Sequence, residues 1–119
     1  MSKYHMPTWS DNEVREHLGT AFTIALKPKE WSEDCRDFSD AFIKEAQSRG
    51  LFNTVTYTTR TANLAILNDN EIRERLGDAF IATKKGFYNK DVIQFGEAYI
   101  EEAKNRGLLN KLQLPTRTQ

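Results

Sequence analysis

Apolar residues recur with the period of an α-helix in two pairs of segments, and the two pairs are built alike. The first segment of each pair carries one apolar stripe with i, i+4, i+7, i+8 spacing, which indicates an amphipathic helix. The stripe residues are Val14, Leu18, Ala21, Phe22 and Ala25 in one half of the chain, and Ile72, Leu76, Ala79 and Phe80 in the other. The pattern therefore predicts the same kind of helix twice.

The second segment of each pair is apolar over about half of its circumference at 100° per residue. Its apolar residues are Cys35, Phe38, Ala41, Phe42, Ile43 and Ala46, and in the other half Val92, Ile93, Phe95, Ala98, Tyr99, Ile100 and Ala103. The width of this surface predicts that the second helix of each pair packs against more than one neighbour.

The predicted helices have clear start and stop signals. Ser10 with Glu13, and Asn68 with Glu71, have the spacing of capping boxes. Gly50 and Gly107, each followed by leucine, are typical of a Schellman stop. Beyond these stops, residues 53–61 and 110–118 alternate apolar and polar side chains, which predicts two short β tails.

The two halves can be aligned directly. Residues 11–28 align with 69–86 and residues 30–61 with 87–118, and 23 of the 50 aligned pairs are identical. Chance predicts about one identity in seventeen pairs at ordinary composition. The alignment indicates a tandem duplication, with repeat 1 at 9–61 and repeat 2 at 67–118 of a single domain spanning 1–119.

The duplication predicts an architecture, because a two-helix hairpin cannot bury its apolar face alone and a second copy can supply the missing half. We therefore expect a mostly α fold: a tandem helix–helix–strand unit in a pseudo-two-fold four-helix arrangement with short β tails. Gly19 and Gly77 lie inside the first helix of each repeat, where glycine costs roughly 1 kcal/mol relative to alanine. They indicate close approach of another backbone or side chain, and the alternative is a ligand or partner contact at the gap.

Composition narrows the functional classes. Lysine and arginine balance aspartate and glutamate, 17 against 17, which argues against a dedicated nucleic-acid or anionic-membrane binder. Cys35 is the one cysteine, no apolar run approaches the roughly 20 residues of a membrane span, and the amino terminus lacks the apolar stretch of a secretory signal. We expect a cytoplasmic protein without a membrane partner, whose oligomeric state the sequence leaves open.

Candidate catalytic or metal-binding groups are sparse. The two histidines, His5 and His17, and Cys35 lack the spacing of a zinc site, and no phosphate-loop, dinucleotide or hydrolase motif occurs. The acidic residues are accounted for by helix caps and by i, i+4 ion pairs such as Glu45 with Arg49. We expect no enzyme activity, no cofactor and no metal.

The loops between paired helices combine lysines with an aromatic residue. These macromolecule-binding candidates are Lys27, Lys29 and Trp31 in the first loop and Lys84, Lys85 and Tyr88 in the second, with Arg60 and Arg117 on the tails. Cations beside an aromatic face suit contact with phosphate and bases. The alternative is structural: the aromatics fold over the next helix start, the lysines favour a helix C-terminus, and the arginines protect an exposed strand edge.

Three functional hypotheses remain open. The leading one is a non-enzymatic protein-binding module, a small regulatory or inhibitory protein of the kind that phage and plasmid genes encode, whose repeated loop suits a two-fold symmetric partner. The second is nucleic-acid binding through the duplicated lysine–aromatic loops. The third is a structural subunit of a larger assembly that uses its tail strands.

Overall fold

Four α-helices of 16 residues form most of the structure, a computed structural model that describes residues 6–55, 64–84 and 88–110. They are α1 (Asp11–Leu26), α2 (Glu33–Ser48), α3 (Asp69–Lys84) and α4 (Lys90–Asn105). Short 3-10 turns lie at Met6–Thr8, Pro28–Glu30, Leu51–Asn53 and Leu64–Ile66. The prediction of a mostly helical protein is confirmed.

The starts of α1 and α3 are capping boxes, as the sequence predicts. The Ser10 hydroxyl accepts the Glu13 N–H at 3.1 Å, and the Glu13 carboxylate accepts the Ser10 N–H at 2.7 Å. Asn68 and Glu71 make the corresponding bonds at 2.9 and 2.8 Å. Both helices therefore satisfy backbone donors that would otherwise lack a partner at the first turn.

The glycines after α2 and α4 occupy the left-handed region, with φ of 74° at Gly50 and 72° at Gly107. After α4, the Leu108 N–H donates to the Ala103 carbonyl at 2.9 Å and the Gly107 N–H donates to the Lys104 carbonyl at 3.0 Å. These two bonds define a Schellman motif, so the predicted helix stop is confirmed there.

The central layer consists of α1 and α3, which pack against each other, while α2 flanks α1 and α4 flanks α3. The second helix of each pair does have more than one neighbour, as predicted, because α2 also contacts the turns at Met6–Thr8 and Leu51–Asn53 and α4 contacts the turn at Leu64–Ile66. Two helical neighbours, however, belong to the first helix of each pair. Ile24 and Ile81 lie off the predicted stripes and are buried, whereas Ala25 is exposed. A single apolar stripe underestimates the buried surface of a helix that packs against neighbours on two sides.

Close approach at Gly19 and Gly77 makes this central pair possible. A Cβ atom on Gly19 would lie 2.4 Å from the Leu76 Cβ, and one on Gly77 would lie 2.5 Å from the Leu18 Cβ. Real Cβ atoms essentially never approach so closely. The predicted role of both glycines is confirmed, because only hydrogen fits on the facing side of each helix.

The flanking helices also approach the central ones closely, at aligned positions but with different chemistry. The Ser39 hydroxyl of α2 donates to the Ala21 carbonyl of α1 at 2.6 Å. In α4 the aligned residue is Gly96, and a Cβ there would lie 2.6 Å from the Ala79 carbonyl oxygen. Both flanking helices thus rest on the backbone of their neighbour.

An arginine ties the end of each flanking helix to the start of its central neighbour. Arg49 binds Glu45 at 2.7 Å and Asp11 at 2.9 Å. Arg106 binds Glu102 at 2.8 Å and Asp69 at 3.0 Å. The predicted i, i+4 pairs at the ends of α2 and α4 are confirmed, and each arginine also closes its hairpin.

The predicted β tails fall largely outside the described residues, which exclude 56–63 and 111–119. Within the described part of the chain there is no strand. Asn53 belongs to the Leu51–Asn53 turn instead, because Leu51 is buried and the Phe52 ring packs 5.7 Å from the Phe22 ring. Thr54 has an extended backbone, with φ of −132° and ψ of 129°.

Replacing Gly19 with alanine tests the central crossing. Alanine is the better helix former, so Gly19→Ala would stabilise an unconstrained helix by roughly 1 kcal/mol. Because the new methyl would meet Leu76 and the α3 backbone, we expect the free energy of unfolding to fall by about 1–3 kcal/mol, measured by urea denaturation. Gln94→Ala at an exposed position of α4 is the control. A Gly19→Ala variant as stable as the wild type would contradict the described crossing.

A second prediction concerns Glu16 on α1. Partial burial, with the charges of Glu74 and Glu13, raises the pKa of the Glu16 carboxyl above its ordinary value. The folded protein therefore holds this proton more tightly than the unfolded chain, and stability declines as pH rises through the Glu16 pKa. We expect Glu16→Gln to raise the melting temperature slightly at pH 7, but not below about pH 4, where the wild-type carboxyl is protonated. Glu97→Gln is the control, and an equal effect at both pH values would contradict the prediction.

Candidate functional site

A cavity of about 580 Å³ lies between the loop that joins α1 to α2 and the turn that follows α4. We call it the Trp31 cavity. Leu26, Lys27 and Trp31 contribute to it from the first half of the chain, and Lys104 and Leu109 contribute from the second. Both halves are therefore needed to form it.

Local signals position Trp31 at this cavity. The Lys27 N–H donates to the Ile24 carbonyl at 3.2 Å where α1 ends, and Pro28 then begins a 3-10 turn. Trp31 follows with an extended backbone, and Ser32 caps α2. The loop is short and its backbone is hydrogen-bonded, so the position of the Trp31 backbone at the cavity is set locally.

The cavity has an apolar wall. Trp31 and Leu109 are half-buried against the core, and Leu26 remains 59% exposed. An exposed leucine by itself is ordinary. Here it lines the same cavity as an indole and a second leucine.

Charged side chains lie along the same cavity. Lys27, Glu30 and Lys104 are exposed, and together they carry a formal charge of +1. Among the described residues, none of the three side chains takes part in an ion pair or hydrogen bond. Both ammonium groups are therefore available to a ligand.

The second interhelical loop makes a different contact. The Tyr88 hydroxyl donates to the Phe52 carbonyl at 2.7 Å, which ties this loop to the turn after α2. Burial, followed by the charge of Asp78, raises the pKa of the Tyr88 phenol. The side chain is half-buried and packs against the core.

The predicted site residues thus have different outcomes. Lys27 and Trp31 lie together at the cavity, whereas Lys29 is exposed in the Pro28–Glu30 turn and does not line it. Tyr88 is engaged by Phe52. Lys84 ends α3, and the remaining candidates lie outside the described residues: Lys85, Arg60 and Arg117.

Sequence reasoning missed Lys104 and Leu109. Both follow the general pattern of a helix end, with lysine in the last turn and an apolar residue after the glycine stop, so neither was distinctive. A weak signal existed, because Lys104 aligns with Gln47 and Leu109 with Phe52. Those differences point to the cavity only when the structure shows that the end of α4 and the turn after it face the first loop.

In the described residues, no group of three or more histidine, cysteine, aspartate or glutamate side chains could hold a metal ion. None of the helices in residues 6–55, 64–84 and 88–110 has the length and apolar character needed to cross a membrane.

Comparison of the chain with protein-family models, with curated proteins and with solved structures finds no match. No relative therefore suggests a function.

The hydroxyl of Tyr88 offers a test of the second loop. Tyr88→Phe leaves the Phe52 carbonyl without its donor, so we expect the free energy of unfolding at pH 8 to fall by about 1 kcal/mol. The raised Tyr88 pKa means that the unfolded phenol ionises first, near pH 10, so wild-type stability declines above that pH. The difference between the two proteins should therefore narrow in alkali. Equal stability at pH 8 would show that the hydrogen bond contributes nothing.

Proposed function

We propose that the protein is a non-enzymatic binding module that occupies the surface of a partner protein, as a small regulatory or inhibitory protein does. The observation that carries this proposal is the Trp31 cavity, which places an indole and two leucines beside exposed lysines. Protein interfaces commonly combine an aromatic anchor at the centre with a polar rim. The cavity offers both within one concave surface.

The ionisable groups of the cavity support binding rather than catalysis. Catalytic acids, bases and nucleophiles are held by neighbouring groups that tune and orient them. The side chains of Lys27, Glu30 and Lys104 are instead exposed and make no hydrogen bond or ion pair with another described residue. Such groups suit recognition of a charged surface.

Nucleic-acid binding is less well supported by the same geometry. A single strand is bound in a positively charged groove that follows its backbone, with aromatic side chains stacked on successive bases. Glu30 lies at the cavity, the formal net charge of the chain is zero, and Tyr88 is engaged in a structural hydrogen bond. The proposal therefore commits to a protein partner.

We further infer that the two halves are copies of one unit related by a pseudo-two-fold axis. The contacts at the crossing support this, because Gly19 faces Leu76 while Gly77 faces Leu18, which aligns with Leu76. Reciprocal contacts of this kind are what a two-fold axis produces. The ion pairs of Arg49 and Arg106 recur in the same way.

Site-specific cross-linking tests the proposed function. A photo-reactive phenylalanine analogue is placed at Glu30, at the cavity, and as a control at Lys44, exposed on α2. Each variant is irradiated in extract of the cells that produce the protein, with and without nuclease. We expect a protein adduct at Glu30, none at Lys44, and persistence of the adduct after nuclease treatment, all measured by mass spectrometry.

The other outcomes contradict the proposal in different ways. An adduct that nuclease abolishes would identify a nucleic-acid partner. An adduct consisting only of this chain would identify a structural assembly. If the two positions give the same products, or if Glu30 gives none, then the cavity is not the binding surface.

A further inference from the structure

The two interhelical loops occupy aligned positions in the sequence but end in different contacts. Tyr88 of the second loop reaches the Phe52 carbonyl through its hydroxyl. The aligned pair is Trp31 and Leu109, and Trp31 has no hydroxyl and forms no hydrogen bond with Leu109. Trp31 and Leu109 instead lie on the walls of the Trp31 cavity. The second loop thus has a hydrogen bond from Tyr88 to Phe52, and the first loop has a cavity between Trp31 and Leu109.

The positive charge that Lys104 brings to the cavity has no counterpart at the aligned position of the first half. Lys104 aligns with Gln47, so the last turn of α4 carries a lysine where the last turn of α2 carries a glutamine. The amides of Gly107 and Leu108 already donate to the last carbonyls of α4. The Lys104 ammonium is therefore not needed to satisfy the helix end, and it remains available together with Lys27.

We propose, on the basis of the protein-binding function above, that the Trp31 cavity accepts one acidic segment of the partner protein. An apolar side chain of the segment packs against Leu26, Trp31 and Leu109. Carboxylates on either side of it pair with Lys27 and Lys104. The protein then binds one such segment per molecule, because the second loop is tied to Phe52 by Tyr88.

The size and charge of the cavity suit such an occupant. A volume of about 580 Å³ lies within the range of roughly 300–1,000 Å³ that is typical of ligand sites, and it accommodates a leucine side chain with adjoining backbone. Glu30 limits the formal charge to +1. The apolar anchor is therefore as necessary as the carboxylates, and neither a bare anion nor an uncharged apolar peptide satisfies the whole surface.

Titration of the full-length protein with a short peptide tests this proposal. The probe is acetyl-DELED-amide, followed by two-dimensional ¹H–¹⁵N NMR of the labelled protein. We expect saturable shifts at the Trp31 indole N–H and the Leu109 amide, with a stoichiometry of one. The indole of Trp9 is buried in the core and serves as an internal reference.

Matched variants separate charge recognition from a folding defect. Lys104→Gln installs the residue that the aligned position already holds, and we expect it to weaken peptide binding about two- to fivefold, as for an exposed ion pair. Lys44→Gln, on α2, should leave binding unchanged. The uncharged peptide acetyl-NQLQN-amide and the leucine-free acetyl-DEAED-amide should each bind more weakly than the probe.

Several results would overturn the proposal. Equal shifts at Tyr88 and Trp31 would contradict a single segment, and tighter binding of octathymidylate at the same residues would contradict an acidic one. Absence of saturable shifts at millimolar peptide would also overturn it. Since the cross-linking at Glu30 does not depend on the peptide, a persistent protein adduct without peptide binding would leave the proposed function standing and reject only the acidic occupant.

Discussion

The contact between α1 and α3 at Gly19 and Gly77 is the constraint on which the rest of the molecule depends. At this crossing a Cβ atom on either glycine would lie within 2.5 Å of the Cβ atom of Leu76 or Leu18, so the two helices leave no room there for a larger residue. The glycines weaken their helices locally, and burial of both central helices compensates. Because each flanking helix rests on one central helix, this crossing also sets how the two hairpins face each other.

The hairpins themselves are held by contacts that are alike in position and different in chemistry. Ser39 donates a hydrogen bond to the Ala21 carbonyl, while Gly96 brings its helix close to the Ala79 carbonyl without a side chain. Both solutions let a flanking helix lie directly on its neighbour. The same backbone arrangement therefore accommodates different side chains at the two aligned positions.

The two interhelical loops also differ in the contacts that their aromatic residues make. Tyr88 completes a contact within the fold, whereas Trp31 leaves space between itself and Leu109. The residues that differ are Tyr88 and Phe52 at the contact, against Trp31 and Leu109 at the cavity. In our proposal this difference gives a chain with two similar halves a single binding surface, in place of the two equivalent surfaces that the sequence pattern first suggests.

The sequence by itself determined the features that local interactions control. The capping box at Ser10 and the glycine stop at Gly107 were predictable because their hydrogen bonds join residues only three to five positions apart. The glycines at the crossing revealed that something approaches closely, but not what. Only the tertiary structure decided that α1 and α3 are central, and only it brought Lys104 and Leu109 to Trp31. Gly19 and Leu76 lie 57 positions apart in the chain, and Trp31 lies 73 positions from Lys104. Such approaches depend on how whole helices pack, which a local pattern does not report.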